Sequence, residues 1–405
     1  MLIFDRNRRI TCLFSVMIEE LHIFASNDLE MITRVIESEI KIRLNQGKVL
    51  LVLGPRQVGK TTLLRQLIER EKLDVLWLNC DNPDDRDDLE DVTITRLKSL
   101  IGSHTLVVID EAQRVKNIGL TLKLIADGMP GVQVIASGSS ALELANEIKE
   151  PLTGRKRELS LYPISTGEMI AHSSQREERR MLDTRLIYGF YPEVVNKPSE
   201  AEEILEELTS SYLYKDILTL DQVRKPVILQ KLLLALALQV GSEVTFNELG
   251  NTIGIDKETA EKYIDLLEKS YVIFKMNSFS RNMRREIKKG KKIYFWDNGV
   301  RNAIINNFNA LSLRNDVGAL WENFIISERM KFLHYNRIKT NVYFWRTTTG
   351  MELDWLEEKG GAIHAFEAKW NPKRRSSFPS GFEEAYPNTV FHQVSPDNYM
   401  DFLTV

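Results

Sequence analysis

The chain has 405 residues, 43% of them hydrophobic and 27% charged, with 54 Lys and Arg against 57 Asp and Glu for a net charge of −3. That length allows two or three compact domains with sizeable cores, and the composition is that of a globular protein in water. The near balance of charge excludes a global electrostatic pull toward nucleic acid or an anionic membrane, so either partner would need a local patch.

Residues 1–28 read as an N-terminal extension. Arg6 to Ile18 is basic and then apolar, but Glu19 and Glu20 follow at once without a small-residue cleavage signal. No apolar run in the chain approaches the ~18 residues of a spanning helix. Cys12 and Cys80 lie far apart without metal spacing, which fits packed thiols in a reducing compartment. The expectation is a cytoplasmic protein with no membrane partner.

Residues 29–178 alternate strand and helix patterns. The apolar run Lys48 to Leu53 leads directly into Gly54-Pro55-Arg56-Gln57-Val58-Gly59-Lys60-Thr61, and Leu63, Leu64, Leu67 and Ile68 then recur at helical spacing. Glycines at both ends let the backbone wrap a phosphate, so that successive N–H groups and the positive end of the next helix face the anion. Gly54 to Thr62 are therefore the nucleotide-binding loop, with Lys60 on the β- and γ-phosphates of ATP and Thr61 on Mg²⁺. Val75 to Asn79 is a further strand, expected to lie between the loop strand and the strand Thr105 to Asp110. That last strand ends in Asp110 and Glu111: Asp110 for the Mg²⁺ shell and Glu111 to orient the attacking water.

A helix around Leu120 to Ala126 follows, then a strand Gln133 to Ala136 running into Ser137-Gly138-Ser139-Ser140. A strand near Glu158 to Tyr162 completes an open parallel sheet with phosphates at its carboxyl edge. In Thr153-Gly154-Arg155-Lys156-Arg157, Arg155 is either a solvated turn residue or an arginine finger on a phosphate in a neighbouring subunit, which would require a homo-oligomer.

Residues 179–240 read as a helical lid interrupted by a turn at Tyr188 to Val195. Residues 241–280 read as a winged helix-turn-helix: Phe246 to Leu249, a turn at Gly254 to Asp256, Lys257 to Ser270, then Tyr271 to Phe274. The second helix sets Glu258, Glu261, Asp265 and Glu268 against Lys257, Lys262 and Lys269. It would repel phosphates about as much as attract them, which favours a protein contact over DNA reading. Arg281 to Lys292 carries seven Lys or Arg among twelve residues with Glu286 the sole opposing charge. This stretch is either a DNA or RNA contact or a charged loop.

Residues 281–405 form the last region. Three alternating strands, Asn341 to Trp345, Met351 to Leu356 and Ala362 to Trp370, put Glu352 with Asp354, and Glu367 with Lys369, on common faces. Paired carboxylates with a lysine two residues on resemble metal-dependent nucleases. The resemblance implies Mg²⁺ on Asp354, Glu367 and the Phe366 carbonyl, Lys369 positioning the water, and Glu322 of the upstream helix as a further carboxylate. A half-solvated sheet face is the plain alternative. No glutamine-bearing helix motif follows between Trp370 and Pro387, a departure from many such nucleases. His364 and His392 have no ligand partner at metal spacing.

Taken with Val107 to Gln113, Leu152 to Arg155 and Tyr191 to Val194, these motifs resemble prokaryotic AAA+-like ATPases. In that family the P-loop core is followed by a winged helix and a restriction-endonuclease-like domain. The resemblance implies an α/β fold with a parallel P-loop sheet of the additional-strand type, a helical lid, a winged helix and a C-terminal α/β nuclease-like domain. It also implies a polar γ-phosphate sensor at Ser137 or Ser139, with turn formers at a strand end as the plain alternative. The expected activity is Mg²⁺-dependent ATP hydrolysis coupled to the C-terminal half, which serves either as a nucleic-acid enzyme or as a docking module of an ATP switch.

Overall fold

Apolar five-residue runs build the first sheet. Its strands are β1 (Val49–Leu53), β2 (Val75–Asn79), β3 (Leu106–Asp110), β4 (Gln133–Gly138) and β5 (Lys156–Ser160), all pairs parallel, in the order β2-β3-β4-β1-β5. The computed structural model describes residues 31–139, 152–213, 226–280, 290–347 and 349–404, of which Arg34 onward form one unit. The N-terminal extension and residues 281–289 of the basic stretch lie outside the described residues.

β1, β3 and β4 are buried along their whole length, as parallel strands covered on both faces must be. A strand does separate β1 from β3, but it is β4; the expectation that Val75–Asn79 takes this place is corrected. β2 is half-exposed and sits at the sheet edge beside β3. Chain order does not dictate strand order in a parallel sheet, because each crossover helix can carry the chain past a neighbour.

Helices α1 (Ile36–Arg43), α2 (Lys60–Glu71), α3 (Ile118–Gly128) and α4 (Thr166–His172) flank the sheet region. α4 starts on a capping box between Ser165 and Glu168. Leu51, Leu53, Ile109, Leu122 and Val134 belong to one buried cluster between sheet and helices.

Within 179–240, α5 (Leu182–Tyr188) ends at Gly189, whose φ is +72°. A Cβ there would stand 2.1 Å from Asp297 Oδ1, so only glycine fits. Asp297 accepts the Phe190 N–H (2.7 Å) and the Val300 N–H (3.1 Å), while Asn302 Nδ2 donates to Leu186 O and Ile187 O. Helices α6 (Phe246–Ile253) and α7 (Lys257–Lys269) turn at Gly254, and Asp256 caps α7. Two more helices follow, α8 (Asn298–Ile304) and the 19-residue α9 (Val317–Tyr335). The helical region 179–240 is thus bonded to the C-terminal half through residues 297–302.

The second sheet is mixed. β6 (Glu243–Val244), β7 (Ile273–Ser278), β8 (Lys291–Phe295), β9 (Asn341–Arg346), β10 (Glu352–Lys359), β11 (Ala362–Ala368) and β12 (Val390–Val394) take the order β12-β11-β10-β9-β7-β8-β6. β7–β9 and β11–β12 are parallel and the other pairs antiparallel. β7 and β8 pair from either side of position 280/281.

Candidate functional sites

The loop after β1 is shaped by backbone geometry before any side chain acts. Gln57 (φ +57°) and Gly59 (φ +91°) both adopt left-handed conformations, the kind of alternation that turns consecutive N–H groups inward. α2 begins at Lys60 without a side-chain cap, the arrangement in which its first turn serves an anion. Gly54 is packed so closely on the chain after β5 that a Cβ would lie 2.1 Å from the Leu161 carbonyl oxygen. Lys60 is 5% exposed, and its ammonium donates to Gly54 O (2.9 Å) and Pro55 O (2.8 Å). Pro55 and Val58 are buried, while Gln57 and Thr62 are exposed at the rim and Arg56 lies between these extremes.

Thr61 Oγ1 donates to Asp110 Oδ2 at 2.8 Å, which joins the loop to the end of β3. A hydroxyl and a carboxylate at this edge are hard oxygen donors of the sort Mg²⁺ takes, so the residues fit the ion. The buried Ser137 hydroxyl donates to the other oxygen of Asp110 and accepts the Glu111 N–H (3.3 Å). Ser137 thus braces the acid. Glu111 has a left-handed backbone (φ +53°), and its carboxylate accepts from Gln113 Nε2 at 2.6 Å. The same Nε2 donates to Ser139 Oγ at 3.1 Å. Gln113, absent from the sequence-based site, thereby links the water-activating candidate to the sensor candidate; its place two residues past Glu111 was the available signal.

Arg155 lies elsewhere. Its carbonyl accepts the Val49 N–H at the start of β1, the opposite end of the strand from the loop, and its guanidinium pairs with Asp127 at 2.5 Å.

A second residue missed by sequence reasoning is Arg34. Its buried guanidinium donates to Val58 O of the loop (2.9 Å), Tyr162 O (2.6 Å), Glu168 Oε1 (3.0 Å) and Tyr335 Oη at the end of α9 (3.4 Å). Tyr162 Oη meets His334 Nδ1 at 2.6 Å, and the Tyr162 ring stacks on Trp296 with centroids 4.2 Å apart. The phosphate loop and the C-terminal helix therefore share one buried junction.

At the other end of α9 the nuclease-like residues do converge. Glu322, Glu352 and Asp354 surround the Lys292 ammonium, at 2.8 Å from Glu322 and 3.6 Å from Asp354 with the Glu352 contact shorter still. Tyr294 Oη donates to Glu322 (2.7 Å), and Asp354 Oδ2 accepts the Ala368 N–H (3.0 Å). Glu367 pairs with Lys369 at 2.5 Å, and its other oxygen is buried without a partner among the described residues. Burial together with the neighbouring Asp354 pushes the Glu322 and Glu367 carboxyls up to about 7. The expectation of Mg²⁺ on Glu322, Asp354 and Glu367 does not fit this arrangement, because an ammonium lies among the oxygens and Lys369 is spent on Glu367. Among the described residues no group of three or more His, Cys, Asp or Glu is disposed to hold a metal. Lys292 was read as part of a basic surface stretch; its place two residues before Tyr294, on the same face of the strand Lys291–Phe295, was the available hint.

Sequence comparison finds relatives for most of the chain. Residues 46–170 match the family model of an AAA domain, and residues 179–311 and 317–396 match two models each described as a domain of unknown function (DUF8612 and DUF4143). The stretch that carries the first sheet is thus similar to an AAA domain, and the two further matches follow it along the chain. An uncharacterized protein of Mycobacterium tuberculosis is 26% identical over 348 residues, covering 85% of this chain and 74% of that protein. Another, from Methanocaldococcus jannaschii, is 24% identical over 323 residues, covering 73% and 69%. A Walker-type ATPase of Pyrococcus abyssi covers 69% of this chain and 97% of its own, with 17% identity and a TM-score of 0.49. No helix among the described residues is long and apolar enough to cross a membrane.

Proposed function

We propose that the chain hydrolyses ATP at the carboxyl edge of the first sheet and passes the nucleotide cycle to its C-terminal half through Arg34 and α9. The observation that supports it most is the Thr61–Asp110 pair beside the buried Lys60, with Glu111 immediately after. Thr61 and Asp110 would hold Mg²⁺, which neutralises charge on the β- and γ-phosphates when bound. Lys60 exchanges its two loop carbonyls for phosphate oxygens, and Glu111 takes the proton of the attacking water. Arg155 contributes only in a homo-oligomer, since its strand end faces away from its own loop.

Replacing Lys60 by Ala is expected to abolish ATP turnover, because the cation nearest the phosphates is lost. Normal turnover in Lys60→Ala would reject the assignment.

For the C-terminal half we favour a docking module of an ATP switch over a nuclease, on the strength of Lys292 among the carboxylates. A DNA or RNA contact along the basic stretch before the buried Lys292 predicts binding that weakens steeply with salt. ATP turnover with and without a panel of DNA and RNA substrates, scored for both stimulation and cutting, separates the readings; cutting that depends on Asp354 would reject the docking module.

A further inference from the structure

The four carboxylates at the junction of β8, α9, β10 and β11 pose a charge problem that the protein has solved internally. Glu322 comes from α9, Glu352 and Asp354 from β10, and Glu367 from β11. Bringing them together out of water requires compensating cations. Lys369 covers Glu367 from the same strand. The other three meet at Lys292, which reaches in from β8 and is only 1% exposed, with Arg346 adding a longer contact to the outer oxygen of Glu352 at 3.8 Å.

We propose that Lys292 is the built-in cation of this cluster: its ammonium stands where Glu322, Glu352 and Asp354 would otherwise share a divalent ion, so the site is closed to metal and works as a clasp. A divalent cation entering beside Lys292 would face a like charge within contact distance, and the burial of the ammonium strengthens that repulsion. Lys292 cannot swing aside easily, because it is buried on a paired strand and its ammonium also lies 5.7 Å from the Phe344 ring centroid. The clasp joins elements far apart in sequence: the β7–β8 pair, the N-terminal part of α9 and the β10–β11 pair. The Ala368 N–H engages Asp354 Oδ2 (3.0 Å), so that oxygen is held by backbone as well.

The test uses Mn²⁺ as the probe, followed by electron paramagnetic resonance on the full chain without nucleotide. An Asp110→Asn background removes the carboxylate of the phosphate site. With Lys292 in place, no Mn²⁺ site that depends on Asp354 is expected up to about millimolar concentration. Lys292→Met is expected to gain such a site, at least about tenfold tighter, and to lose it again when Asp354→Asn is added. Mn²⁺ binding in the Lys292-containing chain that disappears with Asp354→Asn would overturn the proposal, and so would a folded Lys292→Met chain that gains nothing. Should Lys292→Met not fold, the Lys292-containing arm with and without Asp354→Asn still decides.

Discussion

At the scale of single residues, the two strands that end at the phosphate site are joined by hydroxyls and one amide. Thr61 and Ser137 occupy both oxygens of Asp110, and Gln113 bridges Glu111 to Ser139. Glu111 is the residue expected to handle the water, and a general base acts only from a defined position. We predict that Gln113→Ala lowers kcat for ATP by about 10- to 100-fold with KM nearly unchanged, since Gln113 contacts the base and not the loop. A steady-state comparison checks this; an equal loss in Gln113→Glu would fit a positional role, while unchanged turnover in Gln113→Ala would show that Glu111 is placed without it. The motif Asp110 to Gln113 was visible as a string of residue types. Its geometry was not, because Ser137 and Ser139 arrive from a strand 26 residues further on.

Among elements, α8 and the start of α9 are held by an arginine pair around one acid. Asp316 accepts Arg301 Nη1 at 2.5 Å, and Arg314 Nε and Nη2 at 2.9 Å each. Burial alone would raise this carboxyl, but the bonds from Arg314 and Arg301 outweigh it and hold it down at about 2, below the ordinary 3.8. The folded state therefore binds fewer protons here than the unfolded chain. The stabilisation is present above the ordinary value and is lost as pH falls from about 4 through about 2. Urea unfolding should show Asp316→Asn less stable than the parent at pH 5, with the gap closing toward pH 2.5. A gap that does not change with pH would mean that the carboxylate charge is not what holds α8 to α9. Periodicity exposed most of these elements: the strands alternate or run apolar as expected, and Gly254 and Asp256 marked the α6–α7 turn. β12 and the pairing of β8 with β7 escaped notice because the intervening residues carry no hairpin signal and partner choice lies outside any local window.

For the whole molecule, the long helix α9 runs from the carboxylate cluster to the junction beside the phosphate loop, the route along which we propose the two halves communicate. Glu322 near its start sits in the carboxylate clasp, and Tyr335 at its end bonds Arg34 beside the phosphate loop, about 20 Å away along the helix at 1.5 Å per residue. Arg34→Ala leaves the fully buried Glu168 carboxylate without its cation, and we expect a stability loss of about 3 kcal/mol or more in urea titrations. Arg34→Lys keeps the charge but not the four-way reach. In hydrogen exchange with a non-hydrolysable ATP analogue, the parent chain should change protection along α9, and Arg34→Lys should show the change in α2 only. An identical response in α9 of both proteins would remove Arg34 from the route.

What the chain determined by itself is the chemistry of its local strings. Glycine spacing, a lysine at the start of a helix and an acidic pair at a strand end specify a phosphate site, because each property is carried by neighbours within a few residues. What only the tertiary structure decided is partnership across distance. It placed β4 rather than β2 between the loop strand and the acid strand, brought Arg34 onto Val58 and Tyr335, and turned Lys292 from a surface charge into the counter-ion of three carboxylates. Burial and pairing between residues tens or hundreds of positions apart are set by which faces pack together, and no local pattern encodes that choice.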